Sequence, residues 1–309
     1  MVLALVACGR ELNYINPLPN AKFSAGAFSI ADLQAQNLPP VQTFTINMAN
    51  SQQLTCSGGT QLMIEPGSLM VDGKPATSGT VQIQVRELQQ PSKIILTGIT
   101  TQTDNGMLES AGMIELEANI PDAPAKRVDV NPTQPVYMAV PASSKPGAST
   151  SGFGSFYFNP SNQTWTAGTD TANRIWRNNQ WMFNMPVRKK GWINCDRFYH
   201  QKPCSDIRVV LPDTFMGCTD VFVVVHKLRS AIRLYLDTSK REFNVKSRGY
   251  DGFPDTLLVT AICHGVKNGL FYEYDTTFNV APGLKFHMKP VMKNRKEHEK
   301  WLATIFDEE

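Results

Sequence analysis

The chain has 309 residues, of which 42% are hydrophobic and 18% charged, and its formal net charge is +3. At roughly 150 residues per domain this length predicts about two domains. So small a charge, with Lys and Arg interspersed among acids, gives no electrostatic case for nucleic acid, and no apolar run reaches the roughly 18 residues of a membrane-spanning helix.

The chain starts with an apolar run, Met1-Val2-Leu3-Ala4-Leu5-Val6-Ala7-Cys8. Its ending, Leu5-Val6-Ala7-Cys8, resembles a bacterial lipobox, in which cleavage before the cysteine leaves the thiol to carry lipid. Cys8 is thus the candidate lipidation site and 1–8 a signal remnant. Residues 9–40 are polar and Pro-rich and read as a tether. Within them Ser29-Ile30-Ala31-Asp32 resembles a capping box and predicts a short helix through about Gln36.

A first β-sandwich is predicted over 41–141. Thr43–Asn47 alternates, and Thr60–Ile64 follows a Gly58-Gly59 turn. In Thr80–Arg86, Val81, Ile83 and Val85 share one face and Gln82, Gln84 and Arg86 the other, the period of a half-buried strand. Ile94–Thr103 reads as a further strand before an Asn105-Gly106 hairpin turn. Ile114, Leu116, Ala118 and Ile120 form the next apolar face, and Val136–Val140 closes the domain.

Residues 142–206 read as a linker and an aromatic-rich β segment. Its Trp165, Trp176, Trp181 and Trp192, with Arg188 of the basic triplet Arg188-Lys189-Lys190, form a candidate binding surface, because aromatic rings offer flat faces and a guanidinium offers anion contacts. Asp196 and Arg197 are placed to pair with each other or to cap a turn. A second sandwich-like domain is predicted over 207–290. The segment 291–309 reads as an amphipathic helix capped by Asn294 and Glu297, with Trp301, Leu302, Ile305 and Phe306 on one stripe. The fold class is therefore all-β: two β-sandwich-like domains joined by an aromatic-rich β segment, with a short C-terminal helix.

Catalytic motifs are not found. There is no G-x-S-x-G, no H-E-x-x-H, no phosphate loop and no dinucleotide fingerprint, so no catalytic residue and no cofactor is assigned. Cys195, His200 and Cys204 are the best cluster with ligand chemistry for a metal such as zinc, and cysteine catalysis would draw on Cys195 with His200 or on Cys263 with His264. Cys195–Cys204 is also a candidate disulfide, alongside the alternative of buried free thiols.

Gly58-Gly59-Thr60, Ile64-Glu65-Pro66-Gly67-Ser68-Leu69, Gly79-Thr80-Val81 and Ser110-Ala111-Gly112-Met113 resemble the β-sandwich shared by ankyrins, the zonula occludens protein and netrin receptors. With Gly191-Trp192-Ile193-Asn194-Cys195-Asp196-Arg197-Phe198 added, residues 41–290 are similar to exported lipoproteins of Bacteroidetes. The resemblance implies a lipid-anchored outer-membrane protein with a non-catalytic sandwich, periplasmic or surface-facing. The His-Phe-Ser site at which some relatives cut themselves is absent. The expected function is a structural or protein-binding module with an envelope protein as partner and the membrane engaged through its lipid alone. The alternatives are a glycan-binding or adhesive module, or a hydrolase centred on Cys195 and His200.

Overall fold

The computed structural model describes residues 30–104, 106–142, 151–199, 202–245, 252–267 and 270–306. The fold is all-β, with strands predominating and three helices among the described residues. The chain divides into two compact units. One comprises Pro39–Gln90 with Leu108–Tyr199. The other gathers the described parts of Met1–Leu38, Pro91–Met107 and His200–Glu309. No helix among the described residues is long and apolar enough to cross a membrane.

The first unit contains β1 (Gln42–Asn47), β2 (Gln52–Thr55), β3 (Gln61–Ile64), β4 (Leu69–Val71), β5 (Lys74–Pro75), β6 (Thr80–Leu88), β7 (Met107–Asn119), β8 (Val128–Val130), β9 (Val136–Pro141), β10 (Gly154–Asn159), β11 (Thr164–Thr171), β12 (Asn173–Arg177), β13 (Gln180–Val187) and β14 (Gly191–Tyr199). They form a six-stranded sheet β1-β6-β7-β14-β10-β11, a five-stranded sheet β12-β13-β9-β3-β2 and a small sheet β5-β4-β8. One apolar core joins them. Val81, Ile83, Val85, Ile193 and Cys195 from the first sheet meet Leu62, Met138, Val140, Phe183 and Met185 from the second. Period-two alternation puts these side chains on one face of each strand, and burying each large apolar one stabilises by about 1.5–3 kcal/mol.

The expected first-sandwich strands around β1, β3, β6 and β9 form where the alternation places them. Composition put the aromatic segment between two domains. Its strands β10 to β14 instead complete both sheets of this unit, because β14 pairs β10 and β13 pairs β9. The Gly58-Gly59 turn is held by Glu87, whose carboxylate accepts from the Gly58 N–H at 2.6 Å and the Thr60 N–H at 3.0 Å. A Cβ at Gly58 would lie 2.9 Å from both carboxylate oxygens, so a side chain there would push Glu87 aside, while Gly59, at φ 92°, takes the left-handed conformation that favours glycine.

The second unit contains α1 (Ile30–Gln36), α2 (Pro91–Thr97), the strands β15 (Cys204–Ser205), β16 (Arg208–Val210), β17 (Thr219–Val225), β18 (Ser230–Asp237), β19 (Glu242–Asn244), β20 (Phe253–Pro254), β21 (Leu258–Lys267), β22 (Leu270–Asn279), β23 (Lys285–His287) and β24 (Val291–Lys293), and α3 (Arg295–Phe306). Eight of the strands form one sheet, β23-β16-β19-β18-β17-β21-β22-β24, and β15 pairs β20. Helix α2 packs on β18, α3 on β22, and α1 and α3 each touch α2.

Two local expectations have different outcomes. The strand expected over Ile94–Thr103 begins as helix α2. Pro91 suits a first helical position because its missing N–H has no partner to lose there, and Ile94, Ile95, Leu96 and Thr97 are all buried, so the run has no polar side to show a period. Periodicity cannot separate a short buried helix from a buried strand. Beyond α2 the chain runs along β18. The Thr101 N–H donates to Ala231 O at 2.9 Å, and Gln102 Oε1 accepts from the Arg233 N–H at 2.7 Å. The Asn105-Gly106 turn involves Asn105, which lies outside the described residues. The C-terminal cap forms as expected: the Asn294 N–H donates to Glu297 Oε2 at 3.1 Å, and the Glu297 N–H to Asn294 Oδ1 at 3.0 Å.

Candidate functional site

The exposed candidate lies on the β12–β13 hairpin of the first unit. Arg177 pairs with Gln180, and the two residues between them, Asn178 and Asn179, have φ of 51° and 58°. That left-handed pair is the two-residue turn whose twist matches the strands, and Asn tolerates it. In the register Trp176 stands opposite Trp181, and Arg174 opposite Phe183. Directly opposed residues share a face, so Arg174, Trp176, Trp181 and Phe183 stand on one side.

Farther along β13 this same side turns Phe183, Met185 and Val187 into the sandwich core. Pairing with β9 begins only at Met182, opposite Pro141, so the hairpin tip runs past the end of β9. The core face thereby continues into solvent: Trp176 is 58% exposed and Trp181 40%. Their rings meet edge to face with centroids 5.2 Å apart, and the Arg174 guanidinium lies over the Trp181 ring at 4.2 Å. Arg174 is exposed, and no carboxylate pairs with it among the described residues.

The other expected surface residues are placed differently. Trp165 is 2% exposed and Trp192 5%, so neither offers a platform. Trp165 packs against Phe158, its opposite neighbour, at 5.2 Å. Arg188 is held by Asp170, with Nε to Oδ2 at 2.8 Å and Nη2 to Oδ1 at 2.9 Å, and it also donates to Pro132 O. Its donors are largely satisfied within the unit. Arg174 is the residue that sequence reasoning missed. The signal was present: Arg174 and Trp176 alternate on one side of an Asn-Asn turn and Trp181 follows on the other.

Of the cysteine cluster, only Cys195 and Cys204 lie among the described residues. Cys195 on β14 is 0% exposed, a free thiol facing the sandwich core beside Ile193, so the disulfide alternative is not formed. Burial and the neighbouring Asp196 push that thiol well above its usual range. Cys204 sits in the β15–β20 pair, and His200 lies outside the described residues. Among the described residues no group of three or more His, Cys, Asp or Glu is arranged to hold a metal. The expected Asp196–Arg197 pair is also replaced, since consecutive strand residues face opposite sides. Arg197 pairs Glu109 at 2.6 Å, while Asp196 is fully buried and accepts from Asn194 Nδ2 at 2.5 Å. Its carboxyl is pushed well above the carboxylate range by burial. Cys8 lies outside the described residues.

A third cluster, unforeseen in the sequence, crosses the sheet of the second unit. Glu273, His264 and Asp220 are successive cross-strand neighbours on β22, β21 and β17, and Arg233 on β18 stands opposite Phe222, two residues along from Asp220. All four are buried, none more than 6% exposed. Arg233 Nη2 lies 3.3 Å from Asp220 Oδ2, which also accepts from Gln34 Nε2 of α1 at 3.1 Å. From α3, His298 places Nδ1 at 3.0 Å from Glu273 Oε2 and stacks on His264, ring planes 7° apart and centroids 5.7 Å apart. Lys293 Nζ stands 3.9 Å from Glu273 Oε1, and Trp301 Nε1 donates to Asp275 at 2.7 Å.

Burial sets the charge states here. It lowers His264 to about 4 and, with His264 alongside, His298 to about 3. It raises Glu273 to about 7 against the opposing pull of Lys293. A carboxylate orienting an imidazole is the geometry of a general-base dyad. Both imidazoles are 0% exposed, however, so a substrate has no approach to them. The cluster clamps α1 and α3 to the sheet through polar contacts.

Scanned against known families and curated proteins, the chain matches no family model and no curated protein.

Proposed function

We propose that the protein is a non-catalytic, lipid-anchored binding module of the cell envelope, that its ligand-contacting element is the β12–β13 hairpin, and that its ligand is a glycan. The observation that supports this reading is the Trp176–Trp181 pair, two large aromatic rings left in solvent at the rim of a packed sandwich. A sugar ring presents a flat patch of C–H groups that stacks on an indole face, and aromatic side chains provide such area with few rotatable bonds. The anchor at Cys8 and the outer-membrane location rest on the lipobox-like start and on the resemblance of 41–290 to exported lipoproteins.

The test is a glycan array probed with the whole protein and with Trp176→Ala and Trp181→Ala. Retention of a glycan by the native protein, lost in both variants, is the expected result. Equal retention by all three proteins, or none by any, refutes the reading. Replacing Cys8 by Ala should release the protein from membranes.

A second reading, docking of an envelope protein, draws on the edge strand β24. It ends the eight-stranded sheet, and Val291 and Met292 on it are 55% and 54% exposed. An open edge with apolar side chains is a template for strand addition. Loss of a co-purifying envelope protein in Met292→Asp, with the Trp176 variant unaffected, favours this reading over the glycan.

A further inference from the structure

We infer that the hairpin selects an acidic glycan, one whose sugar carboxylate is read by Arg174 while the ring stacks on Trp176. This rests on the glycan reading and adds the charge of the ligand. Three features carry it. First, the Arg174 guanidinium carbon lies 4.2 Å from the centre of the Trp181 ring, which sets the group against a fixed surface. A guanidinium that meets an aromatic ring keeps N–H donors with which to fork onto a carboxylate. Second, the other arginines beside the aromatic segment are already engaged: Arg188 with Asp170 and Arg197 with Glu109. Arg177, next along β12, reaches Gln61 Oε1 at 3.3 Å. Arg174 is exposed and has no such acid among the described residues. Third, Trp176 is the more exposed ring of the pair and Trp181 the one Arg174 covers, so the two binding functions fall on adjacent groups and do not compete for one surface.

The arrangement asks two properties of the ligand, a flat C–H face and a carboxylate beside it. A uronic-acid chain has both in each unit. A neutral chain has the first alone, and an acidic peptide the second alone.

The experiment is isothermal titration of the whole protein with an oligogalacturonate, with its fully methyl-esterified counterpart and with oligoglutamate, repeated for Arg174→Ala and Trp176→Ala. The ester keeps the ring and linkage and removes the charge. The expected result is that the acid binds at least about tenfold more tightly than the ester, in keeping with a charge-assisted pair. Arg174→Ala should bring acid binding down to the ester level, and Trp176→Ala should weaken both. Acid binding should also fall as salt is raised, while ester binding should not. Equal binding of acid and ester, both dependent on Trp176 and indifferent to Arg174, overturns the acidic assignment and leaves the glycan reading standing. Oligoglutamate bound as tightly as oligogalacturonate and independently of Trp176 overturns it in favour of a protein ligand. Binding of neither acid nor ester also overturns it, and the array then decides the broader reading separately. Both side chains are exposed, and circular dichroism of the variants is the check that folding is intact.

Discussion

Glu273 provides a quantitative test of the buried row in the second unit. Burial raises its carboxyl from an ordinary 4.5 to about 7. Between those values the folded protein holds one proton that the unfolded chain has released. Stability from this group is therefore fully present below pH 4.5 and is lost as pH rises through 7, at about 1.4 kcal/mol per pH unit. From pH 5 to 8 the loss is about 2.5 kcal/mol. His264 and His298 act in the opposite sense. Lowered from 6.5 to about 4 and about 3, they contribute stability that is present above pH 6.5 and lost as pH falls through those values. A pH scan of the native protein alone therefore mixes the two trends.

Glu273→Gln separates them. Glutamine keeps the shape and can donate to or accept from His298 Nδ1, but it does not titrate. In urea titrations followed by circular dichroism at pH 5, 6, 7 and 8, the stability of the native protein relative to the variant should fall by about 2.5 kcal/mol across the series. The variant should lose stability more steeply than the native protein on the acid side, because only the histidine contribution remains. A buried origin also predicts that the difference persists at high salt, where surface charge effects are screened. Parallel pH curves for the two proteins would refute the reasoning.

Two further outcomes follow from single contacts. Asn294→Ala removes the side-chain acceptor of the Glu297 N–H and should cost about 1 kcal/mol; amide exchange within α3 measures it, and no faster exchange at its first turn would count against the cap. Burial pushes the Cys56 and Cys263 thiols up to about 12 and Cys195 well above its usual range. Iodoacetamide at pH 8 should therefore label the partly exposed Cys204 and Cys218 before any of these three, as mapped by mass spectrometry.

Much of the fold was legible before any coordinates. The alternation at Val81, Ile83 and Val85 placed all three inward, and they are 0% exposed. The capping pair Asn294 and Glu297 marked the start of α3, and helix α1 spans Ile30–Gln36 where the sequence placed a helix through about Gln36. The candidate site was legible only in part. Of the four tryptophans singled out, Trp176 and Trp181 are exposed while Trp165 and Trp192 are buried.

What the sequence by itself determined is what depends on neighbours along the chain: strand period, turn chemistry and helix caps. A period of two assigns side chains to two faces without saying which face is covered, and that depends on the elements packed there. The same limit hid the helix in Ile94–Thr103, whose buried run has no polar side. It also hid the Glu273–His298 contact, which joins residues 25 positions apart on a strand and a helix. Only the tertiary structure decided these. It folded the aromatic segment into the sandwich, ended β9 short of the hairpin tip so that Trp176 and Trp181 stay in solvent, and enclosed His264 and His298. The physical reason is that burial belongs to an arrangement of distant segments, and the free energy that fixes a charge state or exposes a ring is set by that arrangement.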